Sequence, residues 1–150
     1  MNKHIRDTQP NEWLGSRFDP MLTAEETGGS ICITDTVCPP GFSPPRHIHH
    51  DADEIFVVLT GDMKFWMDGK TKTVSPGGAI FIPRGTEHSF RVVSDIPARH
   101  LTIFAPGNFE GFFAEMCKGG YQIPADMEKV IEIGATYHVE FTGPPLAAED

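Results

Sequence analysis

The sequence predicts an all-β sandwich or barrel followed by two short helices. Three observations carry that expectation. Short apolar and β-branched runs recur every eight to twelve residues, and Gly, Pro and Asp-Gly signals separate them. The spacing of apolar residues turns helical only after residue 105.

In chain order, "EWLGSRF" (12–18) comes first and has strand character. In "SICITDTV" (30–37), Ile31 and Ile33 alternate with polar neighbours, with Cys32 interrupting the pattern, and Cys38-Pro39-Pro40-Gly41 ends the run. "EIFVVLTG" (54–61) is nearly continuous apolar, as in a strand buried on both faces. "DMKFWMDG" (62–69) and "KTKTV" (70–74) make a hairpin about Asp68-Gly69, and "SPGG" (75–78) breaks the chain again. "AIFIP" (79–83) stops at Pro83-Arg84-Gly85, after which "HSFRVV" (88–93) and "RHLTIFA" (99–105) complete the strands. "FEGFFAEMCK" (109–118) and "PADMEKVIEIGATY" (124–137) read as helices packed outside the β domain, with Pro124 in a first-turn position.

Composition narrows the function. A chain of 150 residues is the usual size of one domain and can bury roughly 70% of its unfolded surface. Its three cysteines, Cys32, Cys38 and Cys117, lack CxxC spacing and read as reduced thiols of a cytoplasmic protein. No leader-like or membrane-spanning apolar run is present, and a net charge of −9 argues against a nucleic-acid partner. The length leaves no room for an appended DNA-binding domain. Four of the seven histidines fall in two short segments, at 47–50 and at 88.

The first segment, "PPRHIHHDADE" (44–54), poses the chemical question. His47 and His49 are two apart and share one face of a strand. Glu54 lies at an odd offset, so residues 50–53 must form a turn or bulge that resets parity and aims Glu54 into the same space. His88 opens a later strand. Three imidazoles and a carboxylate can close on one transition-metal ion and leave positions open for substrate. The bland alternative is a hydrogen-bonded polar cluster without metal. His50 has the wrong parity and reads as a solvent-facing turn residue, His100 as a satisfied core histidine, and His4 and His138 as surface residues.

The spacing is more specific than the composition. Gly41, His47, His49, Glu54 and Gly61 fall at the intervals of the first signature of the cupin superfamily, and Gly77, Pro83, Gly85 and His88 at those of the second. Val92 stands where the second signature often carries a non-ligand Asn. The chain therefore resembles a cupin, and the strand rhythm extends the likeness over about 12–105, with a helical extension over about 106–150 of a single 1–150 domain. The resemblance implies a double-stranded β-helix, or jelly roll, with a metal inside the barrel held by His47, His49, Glu54 and His88. "AEETGG" (24–29), "APGNFEGFFAEM" (105–116) and "FTGPPL" (141–146) are similar to single-domain bacterial cupins of the quercetin 2,3-dioxygenase-like group.

By the same resemblance the chain is expected to be a metal-dependent enzyme of dioxygenase type. One divalent ion per chain (Ni, Mn, Fe, Co, Cu or Zn) would act on a small, aromatic or flavonol-like molecule inside the barrel. Glu54 would either stay a ligand or swing off the metal to take a substrate hydroxyl proton as general base. Phe56 and Val58 share the face of Glu54, and Phe90 that of His88, so these three are the expected pocket wall. Met63, Met67, Phe65 and Phe81 read as filling. Arg46, Arg84 and Arg91 read as solvated, and "NFEGFF" as a lid, a cover for a barrel end or a dimer contact. The alternatives are a non-catalytic metal-bearing binding module, or an isomerase or decarboxylase using the same site. Segment 12–18 is expected to pair with a second copy in a two-fold homodimer.

Overall fold

The computed structural model describes residues 11–150, so the surface reading of His4 lies outside the described residues. Eleven strands and two helices run β1 (Glu12–Trp13), β2 (Ser16–Leu22), β3 (Cys32–Cys38), β4 (Pro45–His49), β5 (Asp53–Thr60), β6 (Met63–Met67), β7 (Lys70–Val74), β8 (Ala79–Ile82), β9 (His88–Val92), β10 (Ala98–Ala105), α1 (Glu110–Gly119), α2 (Met127–Thr136) and β11 (Val139–Pro145). They form a six-stranded sheet ordered β1-β2-β3-β10-β5-β8 and a five-stranded sheet ordered β11-β4-β9-β6-β7. Neighbouring strands pair antiparallel, as a jelly roll requires. The two sheets face each other without closing into one hydrogen-bonded barrel.

Parity decides what faces inward. On β5, Glu54, Phe56 and Val58 are buried; on β9, His88, Phe90 and Val92 are buried. β3 turns Cys32, Thr34, Thr36 and Cys38 inward and leaves Ile33 and Val37 half-buried, the reverse of what its isoleucines suggest. The cause is register. β10 sets Thr36 opposite His100, Thr34 opposite Thr102 and Cys32 opposite Phe104, and paired residues must share a face.

The expectation that 54–61 is buried on both faces fails. Ile55 and Val57 are half-buried and Leu59 is exposed. Both helices pack elsewhere, α1 on β1, β2 and β3, and α2 on β11, so nothing within the described residues covers the outer face of β5. Segment 12–18 forms β1 and the start of β2; β1 pairs with β2, and β2 with β3, which leaves β1 at the edge of the six-stranded sheet. Trp13 is buried and donates from Nε1 to the Tyr121 carbonyl. α2 begins at Met127 rather than at Pro124, whose carbonyl accepts from the Met127 amide in the preceding turn. The strand β11 has no counterpart in the sequence reading. Pro144 and Pro145 weaken its pattern, and β11 lies at a sheet edge, where proline is tolerated.

The signature glycines mark backbone needs. Gly61 has φ +75°, and a Cβ there would stand 2.8 Å from the Ala98 Cα. Gly85 has φ +82°, and its amide donates to the His49 carbonyl at 2.8 Å, tying the β8–β9 turn to β4.

Candidate metal centre

The four side chains singled out by spacing converge. His47 and His49 come from β4, Glu54 from β5 and His88 from β9, and one ligand atom from each lies within 4.8 Å of the others. The turn at 50–52 supplies the parity reset between His49 and Glu54. The ladder between β4 and β9 is the single pairing of His47 with His88, which sets two imidazoles side by side with ring centroids 4.4 Å apart. His49, His88 and Glu54 are all buried below 5% exposure, so neither bulk water nor salt screens them.

The outer hydrogen bonds fix the imidazoles. His47 Nδ1 lies 2.7 Å from the Pro45 carbonyl and His88 Nδ1 2.9 Å from the Thr86 carbonyl. A carbonyl only accepts, so each Nδ1 carries a proton and Nε2 is the nitrogen that faces the cluster, beside the Glu54 carboxylate in the case of His88. That is the tautomer a metal requires, held by the kind of outer partner that orients ligand histidines. Glu54 Oε1 stands 2.9 Å from His88 Nε2 and 3.6 Å from His49 Nε2. Three nitrogen donors and one carboxylate oxygen fit a divalent first-row ion.

The electrostatics agree. Burial, reinforced by the neighbouring His88, pushes His47 down to about 3, and burial with His47 and His88 holds His49 well below the ordinary histidine value. Both rings are therefore neutral and available as ligands. Burial also opposes charge on His88, but the hydrogen bond and charge of Glu54 outweigh it and raise His88. His49 is packed edge-on against Phe104 and Phe109, at 4.9 and 4.5 Å between centroids.

A cavity of about 70 Å³ opens beside the cluster. That is well below the roughly 300–1,000 Å³ of sites for drug-sized ligands, so as it stands it suits a compact molecule. His47, His49 and Glu54 form one wall, and Phe42, Phe56, Phe90 and Phe141 others. Of the expected pocket residues, Phe56 and Phe90 line it. Val58, with the right parity, lies two residues deeper and is filled in by a core cluster with Met63 and Val92. Phe65 and Met63 are core, Met67 packs against it, and Phe81 points outward at 54% exposure.

The helical segment supplies what sequence reasoning left open. Phe109, Phe112 and Phe113 close the cavity from the α1 side, so "NFEGFF" covers that end of the jelly roll. Val139 and Phe141 of β11 join them. The aromatic spacing of 109, 112 and 113 is a visible signal of one helical face, but not of its target. Among the described residues, no Arg or Lys lines the cavity. Arg84 pairs with Asp53, Arg91 donates to the Leu146 carbonyl, and Arg46 lies over Trp66. His50 is exposed, 2.8 Å from Glu140, and His138 is exposed near Asp51. His100 is buried, but its Nδ1 has no hydrogen-bond partner, so it is not the satisfied core histidine expected.

Residues 35–104 match the family model for the cupin domain, Cupin_2. The chain carries a cupin domain. Quercetin 2,3-dioxygenase of Bacillus subtilis (strain 168) is 30% identical over 100 residues, 66% of this chain and 29% of that protein. The chain thus spans less than a third of that relative's length. Among solved structures, a cupin-like protein from Thermotoga maritima superposes with TM-score 0.61 at 18% identity, over 89% of this chain and 80% of that one. A recombinant oxalate oxidase in complex with glycolate superposes with TM-score 0.54 at 27% identity, over 67% of this chain and 54% of that one. These likenesses confirm the double-stranded β-helix of the cupin domain. Among the described residues, no helix is long and apolar enough to cross a membrane.

Proposed function

We propose that this cupin-domain protein is a metal-dependent oxidoreductase of dioxygenase type, acting on a compact organic molecule held in the cavity beside His47, His49, Glu54 and His88. The observation that carries the reading is the convergence of three imidazoles and one carboxylate beside a cavity walled largely by aromatic rings. Among the described residues, no Ser or Cys side chain lines that cavity to act as a nucleophile. Similarity to a quercetin dioxygenase supports the class of reaction, while the cavity size favours a single-ring or smaller substrate over an intact flavonol. A bound divalent ion would supply Lewis acidity and a site for dioxygen and substrate oxygen. The chain's own residues do the rest. His47 and His88, fixed through Nδ1, hold the donor geometry; Phe109 and Phe112 exclude water; Glu54 takes the substrate's hydroxyl proton at Oε1.

The test is oxygen uptake by metal-replete protein over a panel of catechols, flavonols and β-diketones. Uptake matched to consumption of one member, and abolished by a chelator, is the expected result. Should no member be consumed, the metal-bearing binding module becomes the better reading, and product analysis without oxygen uptake would point to an isomerase or decarboxylase.

A two-fold homodimer is part of the proposal, and two surfaces suit it: the open edge of β1 in segment 12–18, and an apolar sheet face. Ile33, Ile103, Ile55 and Phe81 lie side by side across the outer face of the six-stranded sheet, with Leu101 and Val57 in the next row. Such an uncovered apolar face, flanked by the Arg17–Asp19 and Arg99–Asp35 ion pairs, suits a second copy docked about a two-fold axis. Light scattering should give twice the 16.5 kDa chain mass, and Phe81→Glu should shift it toward the single-chain value. A wild type that runs at single-chain mass at working concentrations removes the idea.

A further inference from the structure

Along the six-stranded sheet from Glu54 the cavity has a polar stretch of wall. Thr36, His100 and Thr102 line it. They belong to two adjacent inward rows of the six-stranded sheet, Thr36–His100–Val58 and Thr34–Thr102–Phe56. An inward row in a jelly roll is expected to be apolar, and here it is not. His100 is 1% exposed and Thr36 2% exposed, yet the His100 Nδ1 and the Thr36 hydroxyl have no hydrogen-bond partner. Leaving such groups dry and unpaired costs about 1–3 kcal/mol each. The β10–β5 ladder shifts register between Arg99 and His100, skipping Leu59 of β5, while the β10–β3 ladder runs unbroken through His100, so ordinary strand alternation sets His100 inward. The rings of Phe56 and Phe90 flank the imidazole at centroid distances of 5.3 and 5.6 Å.

We propose that His100, with the hydroxyls of Thr36 and Thr102, anchors a neutral polar group of the ligand, a hydroxyl or carbonyl, at the end of the cavity away from the metal ligands. The inference rests on the reading of the cavity as the substrate site and adds a specificity-determining residue to it. Val58, the β5 partner of His100, is four residues beyond Glu54, or roughly 13 Å along the strand. The group recognised is uncharged for two reasons. Among the described residues, no Arg or Lys lines the cavity. Burial also pushes His100 down to about 3, so it meets the ligand as a neutral imidazole, able to donate from one nitrogen and accept at the other.

The probes are a catechol carrying a hydroxymethyl group para to one hydroxyl, and its ethyl counterpart of the same heavy-atom count. Each is titrated calorimetrically into zinc-loaded wild type, His100→Leu, His100→Gln and Thr36→Val, with metal content measured alongside. Wild type should prefer the hydroxymethyl probe by about tenfold or more, because a site built around a hydrogen bond rejects the analogue that lacks it. His100→Leu should erase the preference while keeping one metal per chain, His100→Gln should keep part of it, and Thr36→Val should weaken it should the leucine variant fail to fold. Equal binding of the two probes by wild type, failure of both to bind, or a preference that survives His100→Leu overturns the proposal. An intact preference in a protein that consumes no oxygen would instead leave the anchor standing and remove the dioxygenase reading.

Discussion

His47→Ala is expected to reduce bound metal from one ion per chain to a small fraction, measured by elemental analysis after dialysis against a weak chelator. His47 supplies one of the four converging ligand atoms, and its Nδ1 is tied to the Pro45 carbonyl so that Nε2 faces the cluster. Losing an outer partner of a metal ligand costs roughly 10–100-fold in affinity, and losing the ligand itself costs more. His138→Ala, at an exposed position beside Asp51, should leave metal content unchanged. Equal metal in the two variants would show that the four residues form a polar cluster and nothing else.

The second large effect is expected at Glu54. Its carboxylate is 4% exposed and lies 2.9 Å from His88 Nε2. Glu54→Gln keeps the shape and an oxygen donor but removes the basicity. Most of the metal should remain, while turnover with the best member of the oxygen-uptake panel should fall by about 10²–10⁴, the usual worth of a positioned general base. His88→Gln should lose metal and turnover together, since it removes an imidazole whose tautomer the Thr86 carbonyl fixes. A Glu54→Gln protein with full metal and full rate would reduce Glu54 to a ligand alone. Metal content read beside rate separates these outcomes, because a merely structural role for Glu54 would lower both.

The four candidate ligands and the succession of strands along the chain were legible in the linear pattern because both depend on local geometry. Alternation places His47 and His49 on one face. An odd offset across 50–53 demands a turn before Glu54, and glycines at positive φ punctuate the strands at Gly61 and Gly85. Long-range register was not legible. Only the pairing of β10 with β3 turned the threonines of β3 inward and its isoleucines out, because a row in a sheet has one face whatever each strand's own pattern prefers. The outer face of β5 reads as core in sequence. Whether an apolar face is covered depends on where the helices dock, and α1 and α2 dock elsewhere. Likewise the aromatic run at 109–113 declared an amphipathic helix, but only the fold set Phe109 on His49 and closed the cavity with it. The sequence by itself determined which four residues could meet a metal. The tertiary structure decided what surrounds them, because cavity walls are assembled from strands and a helix far apart in the chain, and no local period records that meeting.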